Sequence, residues 1–396
     1  MTPLANVRVI ELTEALAGPY CAMILGDLGA DVIKVERPGA GDQSRRWGAR
    51  LPADESAYFC STNRNKRSLT LNIQSPAGQA VLRRLLATAD ILICNIPREE
   101  SLRRAGLDYE TLRAEHPRLI YASITGYGRT GPSAGRSGYD LVAQGESGLM
   151  SLTGAPETVP IRYPVPLADM TTGLYTTIGI MAALRVREQT GQGQFIDVSL
   201  LESQSAYLGI VAGEVFATGQ PPVPVGNTHP SIVPYQVFHA ADKQVIIAVG
   251  SDKQWAQFCE VIGLGSDVRD DARFANNQAR LKYRAALIPI IEARLAHLQA
   301  DDLLAQLLTA EIPCGPINSV PELLTDPHYQ ARGNIVESQH SRAGVVKSLA
   351  SPVRLADTPP TYRLSPPALG EHTAAILQEL GYSADEIAQL QKQRDV

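Results

Sequence analysis

The chain has 396 residues, 44% of them hydrophobic and 19% charged, with a formal net charge of −5. That balance fits one large domain or two compact ones and excludes a disordered chain. The negative charge argues against a nucleic-acid partner, which needs a broad basic face. The longest apolar run, near Ile178 to Leu184, is far short of the ~20 residues that a bilayer helix needs, so no membrane partner is expected.

Residues 7–12 read as a buried strand, Ala17-Gly18-Pro19 as punctuation, 19–28 as a helix ending at Gly29, and 31–36 as a second strand. Strand, helix and strand at this spacing form a βαβ unit, which implies a parallel sheet. The alternation continues with an amphipathic helix from Ser75 to Ala87 and strands at 90–95 and 119–124. A loop rich in glycine, proline and serine spans about 125–139. A long helix follows Asp169 to about Gln189, and Thr190-Gly191-Gln192-Gly193 turns into a strand at 194–199. This half is α/β and doubly wound in pattern. Pro221 to Pro234 reads as a boundary, followed by a strand at 243–249 and helices near 252–263 and 279–309, a smaller α+β unit. Asp357 to Pro367 is a linker or surface arm leading to a last helix pair at about 371–394.

The cysteines (Cys21, Cys60, Cys94, Cys259, Cys314) are odd in number and widely spaced, without a Cys-x-x-Cys. Neither a disulfide framework nor a zinc site is expected, and a reducing compartment fits. The first residues carry no basic stretch followed by an apolar one, so we expect a cytoplasmic protein. The other histidines stand at no metal-ligand spacing, so no metal is expected. Three short basic clusters, Arg45-Arg46, Arg64 to Arg67 and Arg103-Arg104, are either solvated surface or a site for a compact polyphosphate. The first βα turn has Gly18 alone and lacks the several glycines that bring backbone against a pyrophosphate. A dinucleotide is therefore disfavoured, although Glu36 ends the second strand.

Three constellations carry chemistry. Asp169 precedes a strongly helical run, where an aspartate caps the first turn. The helix dipole also favours its anion, and an ionised carboxylate can attack an acyl carbon. Arg37, at the carboxyl end of the second strand, offers a planar fork suited to phosphate or is a plain surface arginine. Gly226-Asn227-Thr228-His229-Pro230, with Pro234 beyond it, makes a shaped loop that is either functional or a linker.

Together these segments resemble the family III CoA-transferases, the CaiB/BaiF group. The resemblance rests on Ala17-Gly18-Pro19, on the run from Leu28 to Pro38, on Asn63 to Ser68, on Gly138-Tyr139-Asp140, on Ala168-Asp169, and on Thr190-Gly191-Gln192-Gly193-Gln194. It extends over nearly the whole chain and is nearest to the succinyl-CoA:dicarboxylate branch. It implies a Rossmann-like large domain built from residues 1–220 and 326–396, with a smaller α+β domain inserted at 225–325. It also implies two chains threaded into an interlocked homodimer.

The resemblance further implies coenzyme A as part of the substrate, with no metal, and Asp169 as nucleophile. Arg37 matches a CoA-binding arginine, and Leu71, Asn72, Ile73 and Gln74 match the adenine pocket. Asn95, Ile96 and Arg104 follow the pantetheine and phosphates. Arg136 and Tyr139 face the thioester, with Tyr139 taken as part of the reaction centre. Leu16, Trp47, Tyr58, Gly226, Asn227 and His229 line the acid's pocket, and the amides of 226–229 are candidate oxyanion donors. This sequence departs from the family at Gln74, Ile96 and Pro97-Arg98. Leu16 and the 226–229 loop disfavour oxalate and formate. The expected donor is succinyl-CoA, and the acceptor is itaconate, glutarate, citramalate, malate, mesaconate or a similar dicarboxylate, with Arg162 either a partner for its distal carboxylate or a surface arginine.

Two alternatives stay open. An α-methylacyl-CoA racemase of the same superfamily carries histidine where this chain has Tyr139, and a phenol is a poor base near neutrality. A non-catalytic CoA-binding protein would not need Asp169.

Overall fold

The structure, a computed structural model, describes residues 2–396. Its elements begin with β1 (Arg8–Leu12), α1 (Ala17–Asp27), β2 (Asp31–Glu36), α2 (Ala57–Thr62), β3 (Lys66–Thr70), α3 (Pro76–Leu86) and β4 (Ile91–Cys94). Next come α4 (Glu99–Ala105), α5 (Tyr109–Glu115), β5 (Ile120–Thr125), α6 (Asp140–Glu146), α7 (Leu167–Thr190), β6 (Phe195–Ser199), α8 (Leu200–Ser205) and α9 (Gly209–Thr218). Beyond them lie β7 (Tyr235–His239), β8 (Gln244–Ala248), α10 (Asp252–Ile262), α11 (Ser266–Arg269), α12 (Asn277–Lys282), α13 (Arg284–Leu295), α14 (Ala300–Thr309) and β9 (Cys314–Pro316). The chain continues through α15 (Val320–Thr325), α16 (Pro327–Ala331), β10 (Ile335–His340), β11 (Gly344–Leu349), α17 (Thr373–Glu379) and α18 (Ala384–Gln393). Among the described residues no helix is long and apolar enough to cross a membrane.

Two compact units divide the chain. One runs up to Met150 and includes 162–220 and 328–396; the other joins 151–161 to 221–327. The first unit holds a six-stranded, all-parallel sheet in the order β3-β2-β1-β4-β5-β6. Alternate residues of its strands feed two cores, as the period-two geometry of a strand requires. Val9, Val32, Ile91, Ile93 and Ile120 pack against Cys21 and Leu25 of α1 and Ile180 of α7. Ile10, Ile33, Leu92 and Tyr121 pack against Val81 and Leu85 of α3 and against Ile376, Leu377, Ile387 and Leu390 of α17 and α18. Burial on both faces explains why β4, Ile-Leu-Ile-Cys, reads as a continuous apolar run rather than an alternating one.

The stretch from Asp357 to Pro367 is tied to the edge of the sheet rather than swinging as an arm. Asn65 N–H donates to Leu364 O at 2.9 Å, Arg363 N–H to Asn65 Oδ1 at 2.7 Å, and His372 N–H to Ser68 O at 3.0 Å. These bonds cover the open side of β3, which would otherwise present unpaired backbone. The β10–β11 hairpin was not anticipated from sequence; its register runs from Ile335 opposite Leu349 to His340 opposite Gly344. The second unit carries the antiparallel sheet β7-β8-β9, with Phe238, Val245 and Ile247 packed on Trp255, Phe258, Leu287 and Leu303. Its 279–309 region is broken into α12, α13 and α14.

The turn into β6 leaves no room for a side chain at Gly193. A Cβ there would lie 2.0 Å from Leu119 O, a backbone atom that cannot step aside. Gly193→Ala is expected to cost about 1–3 kcal/mol. An unchanged denaturant midpoint for the variant would contradict the packing described.

Candidate active site

A cavity of ≈ 1810 Å³ opens along the carboxyl ends of the strands of the first unit. Thr13 to Ala15 follow β1, Arg37 to Gly39 follow β2, Leu71 to Gln74 follow β3, Asn95 to Pro97 follow β4, Gly126 follows β5 and Leu200 follows β6, and all of them line it. Ligands of open parallel sheets bind at this end, in the crevice where strand order reverses, here between β1 and β4. From β3 to β5 is four strand spacings of ~4.8 Å, roughly 19 Å, so the cavity is elongated along the sheet.

Asp169 lines this cavity from the first turn of α7. The expectation that it caps the helix is overturned, because α7 starts at Leu167 with Pro166 at its N-cap and no capping side chain of its own. The acceptor comes instead from α6: Asp140 Oδ1 takes the Ala168 N–H at 2.8 Å, and Asp140 Oδ2 accepts from Gln144 Nε2 at 2.7 Å. Among the described residues the Asp169 carboxyl has no hydrogen bond or ion pair. Burial, and then the Asp140 carboxylate, push it up to about 7. The expectation that the dipole holds it ionised at neutrality is corrected accordingly. A helix terminus offers a partial charge, and desolvation plus a whole like charge outweighs it. The same surroundings act on Tyr58, which burial and then Asp169 and Asp140 push up to about 12, so its hydroxyl keeps its proton. Trp47 meets the Tyr58 ring edge-on at 5.4 Å between centroids.

The cavity floor rests on buried charge. Lys34 Nζ sits 2.8 Å from Glu11 Oε1 and 2.9 Å from Asp42 Oδ2; Lys66 Nζ sits 2.8 Å from Glu11 Oε2, and all four side chains are wholly buried. Lys34 also donates to Thr13 O at 2.8 Å, and Asp42 Oδ1 accepts from Ala15 N–H at 3.1 Å. Arg45 grips Glu36 with two bonds of 2.7 Å, and Glu36 accepts from Asp42 N–H at 3.0 Å. These contacts fix the loops after β1 and β2 that line the cavity. The loop after β5 is fixed by contact instead: a Cβ on Gly126 would lie 2.6 Å from Gly138 Cα, so glycine at both positions lets Tyr139 and Asp140 come close to the strand end.

Of the residues singled out from sequence, Arg37, Trp47, Tyr58, Leu71, Asn72, Ile73, Gln74, Asn95, Ile96, Arg104, Tyr139, Arg162 and Asp169 share this one cavity. Arg37 pairs with Glu14 at 2.5 Å and Arg104 with Glu100 at 3.0 Å. Leu16 is buried and is not part of the lining. Arg136 stands outside it, paired with Glu146 at 2.6 Å and stacked over Tyr127. Gly226, Asn227 and His229 belong to the second unit. There Gly226 N–H donates to Gly154 O, and His229 stacks on Tyr235 at 5.0 Å.

Two of the three basic clusters are only partly surface, and their buried members serve neither as solvated charge nor as a polyphosphate site. Arg45, Arg64 and Lys66 are consumed by Glu36, Asp27 and Glu11 inside the protein. Asp140 was quoted in sequence only as a motif letter, and its capping and electrostatic roles were missed. So was the buried network, although charges inside apolar strands (Glu11, Lys34, Lys66) were a visible signal.

A profile described as CoA-transferase family III matches residues 4–373. The chain is 44% identical over 384 residues to a succinate–glutarate CoA-transferase of Agrobacterium fabrum, covering 96% of each. It is 40% identical over 381 residues to a succinyl-CoA:glutarate CoA-transferase of Mus musculus, covering 96% of this chain and 87% of that one. It is similar to the solved structure of a CaiB/BaiF family protein from Brucella suis, with a TM-score of 0.87 and 43% identity, over 96% of this chain and 99% of that one.

Asp169 makes stability depend on pH. Its carboxyl rises from 3.8 to about 7 on folding, so between those values the folded protein holds a proton that the unfolded chain has released. Stability therefore falls as pH climbs through that window, and the full cost stands above it. Asp169→Asn should stabilise the protein at pH 8 and much less at pH 4. Equal effects at both pH values, in paired denaturation curves, would contradict the raised carboxyl.

Proposed function

The chain belongs to CoA-transferase family III, and we propose that it moves CoA from succinyl-CoA to a small dicarboxylate, glutarate first, through the Asp169 carboxylate. The observation that carries this reading is an unpartnered carboxyl lining an elongated cavity at the strand ends.

In the proposed cycle an Asp169 oxygen attacks the thioester carbonyl of the donor. The C–S bond breaks, the thiolate leaves with the electron pair, and an aspartyl–succinyl anhydride forms. The thiolate then attacks the aspartyl carbonyl, succinate departs, and an aspartyl-CoA thioester remains. Glutarate attacks that carbonyl and expels the thiolate, giving a second anhydride. Attack of the thiolate on the glutaryl carbonyl restores Asp169 and releases glutaryl-CoA. Bonds of like energy are exchanged, so no nucleotide hydrolysis is required. A partnerless carboxyl is suited to this role, since hydrogen bonds to the anion would lower its nucleophilicity.

We assign the remaining roles along the cavity as the family resemblance implies them. Arg37 and Arg104 face phosphate, Leu71 to Gln74 the adenine, and Asn95 and Ile96 the pantetheine arm. Trp47, Tyr58 and Tyr139 enclose the acid. Arg162 lines the same cavity without a described partner and takes the distal carboxylate of the dicarboxylate, the group that a monocarboxylic acid lacks.

The working form is a pair of chains. Helix α9 is apolar almost all round, yet none of its residues is buried, and Ile210 and Phe216 are 83% and 88% exposed. A ten-residue helix is marginal in water without packing, and a contiguous apolar surface of this kind marks an interface. Ile178 of α7 is exposed as well. We assign this face to a second copy of the chain.

Succinyl-CoA incubated with a panel of free dicarboxylates, read by mass spectrometry, should yield glutaryl-CoA most readily. Activity should rise with pH through about 7 as Asp169 ionises. Asp169→Asn should lower kcat by at least ~10³-fold. Retained turnover in that variant, or a rate that falls across this range, would remove Asp169 as nucleophile.

In light scattering the protein should weigh twice its 42.6 kDa. Ile210→Asp with Phe216→Asp should shift it to the monomer, and a monomeric parent protein would refute the pairing.

A further inference from the structure

The cavity wall beside Leu71 to Gln74 is completed by Arg394 and Val396, which lie beyond the residues matched by the family profile. This segment is built into the first unit. Helix α18 is started by a capping box between Ser383 and Glu386 and is anchored in the core by Ile387 and Leu390. The chain then reverses at Arg394 in a left-handed conformation, with φ of 61°, and Val396 packs back on the same core. Asn72 N–H donates to Asp395 O at 2.7 Å, which joins the turn to the loop after β3. Arg394 is thereby held at the rim of the cavity.

Charge makes the position informative. The cavity lining holds arginines 37, 104, 162 and 394. The first two are engaged with Glu14 and Glu100. Among the described residues neither Arg162 nor Arg394 has an ion pair or side-chain hydrogen bond. Arg162 lies near Asp169 in sequence, whereas Arg394 belongs to the β3 end, about four strand spacings from the end of β5. An elongated ligand with one acidic group near each end fits that arrangement. In succinyl-CoA the free carboxylate beyond the thioester and the adenosine 3′-phosphate stand near opposite ends of the molecule.

We propose that Arg394 is a binding residue for the ribose 3′-phosphate of CoA and makes the enzyme discriminate CoA from dephospho-CoA. The inference rests on the CoA-transferase reading of the cavity. The backbone turn places the Arg394 side chain at the cavity rim, where its unpartnered guanidinium offers a planar fork to a phosphate.

Calorimetric titration of CoA and of 3′-dephospho-CoA into the full-length protein tests it. The parent protein should bind CoA at least tenfold more tightly. Asparagine tolerates a left-handed backbone, so Arg394→Asn removes the charge while keeping the turn. Its affinity for CoA should fall about tenfold, its affinity for dephospho-CoA should hold, and Arg394→Lys should recover part of the difference. Equal weakening for both ligands, or unchanged affinity for CoA, would overturn the assignment while leaving the transfer reaction intact. A parent protein that binds neither ligand overturns the functional reading itself, and this assignment with it.

Discussion

Two lysines and three carboxylates, all withdrawn from water behind the strand ends, are the interaction on which the rest of the site depends. Removing such charges from water costs several kcal/mol for each ion, and the cost is offset only when every ion meets an opposite one at hydrogen-bond distance. Lys34 satisfies Glu11 and Asp42 together, Lys66 takes the other oxygen of Glu11, and Glu36 is gripped by Arg45. The arrangement tolerates little displacement, so it acts as a fixed frame. Three members also hold backbone: Lys34 donates to Thr13 O, Asp42 accepts from Ala15 N–H and Glu36 accepts from Asp42 N–H. The loops after β1 and β2 therefore take their shape from a buried network that lies mostly behind the cavity lining, with Glu36 reaching it.

The contrast between Asp42 and Asp169 shows what burial does with and without a cation. Burial alone would raise both. For Asp42, Lys34 and hydrogen bonds from Ser44 reverse the effect and hold the carboxyl at about 2. For Asp169 the neighbouring charge is another carboxylate, so the effect of burial is reinforced and the value rises to about 7. Asp42 is locked as an anion and can only support. Asp169 is poised between its two forms, with neither hydrogen bonds nor an ion pair to stabilise the anion. A buried carboxyl without partners costs stability, a kind of strain concentrated at functional sites.

Much of this was legible in sequence. The strands at 31–36 and 119–124 and their spacing with intervening helices dictate a parallel sheet. Once the sheet is parallel, the residues just past each strand must share one edge, which is why Arg37, Leu71 to Gln74 and Asn95 gather in one cavity. Capping at Asp169 was misread because the acceptor comes from Asp140, on another helix, and no local pattern records a contact across 28 residues. The buried ion network escaped for a related reason. A lysine inside a strand looks like an edge or surface residue until its partner on another strand is known. Arg394 was unreadable altogether, since its relevance arises only when Asn72 binds Asp395 across the fold.

That last contact bears on why the chain returns to its first unit at all. The order β3-β2-β1-β4-β5-β6 leaves β3 as an outer strand, and the ligand cavity runs out to it. An outer strand alone offers neither a second wall nor protection for its own backbone. The returning segment supplies both: residues 363–373 cover the edge, and α17 and α18 close the sheet face with Ile376, Leu377, Ile387 and Leu390. The Asp169 carboxyl and the Arg394 end of the cavity are thus built by parts of the chain more than 200 residues apart, joined through one sheet. A ligand long enough to span that sheet edge touches both, so its binding reports on the integrity of the whole unit and not on a single loop.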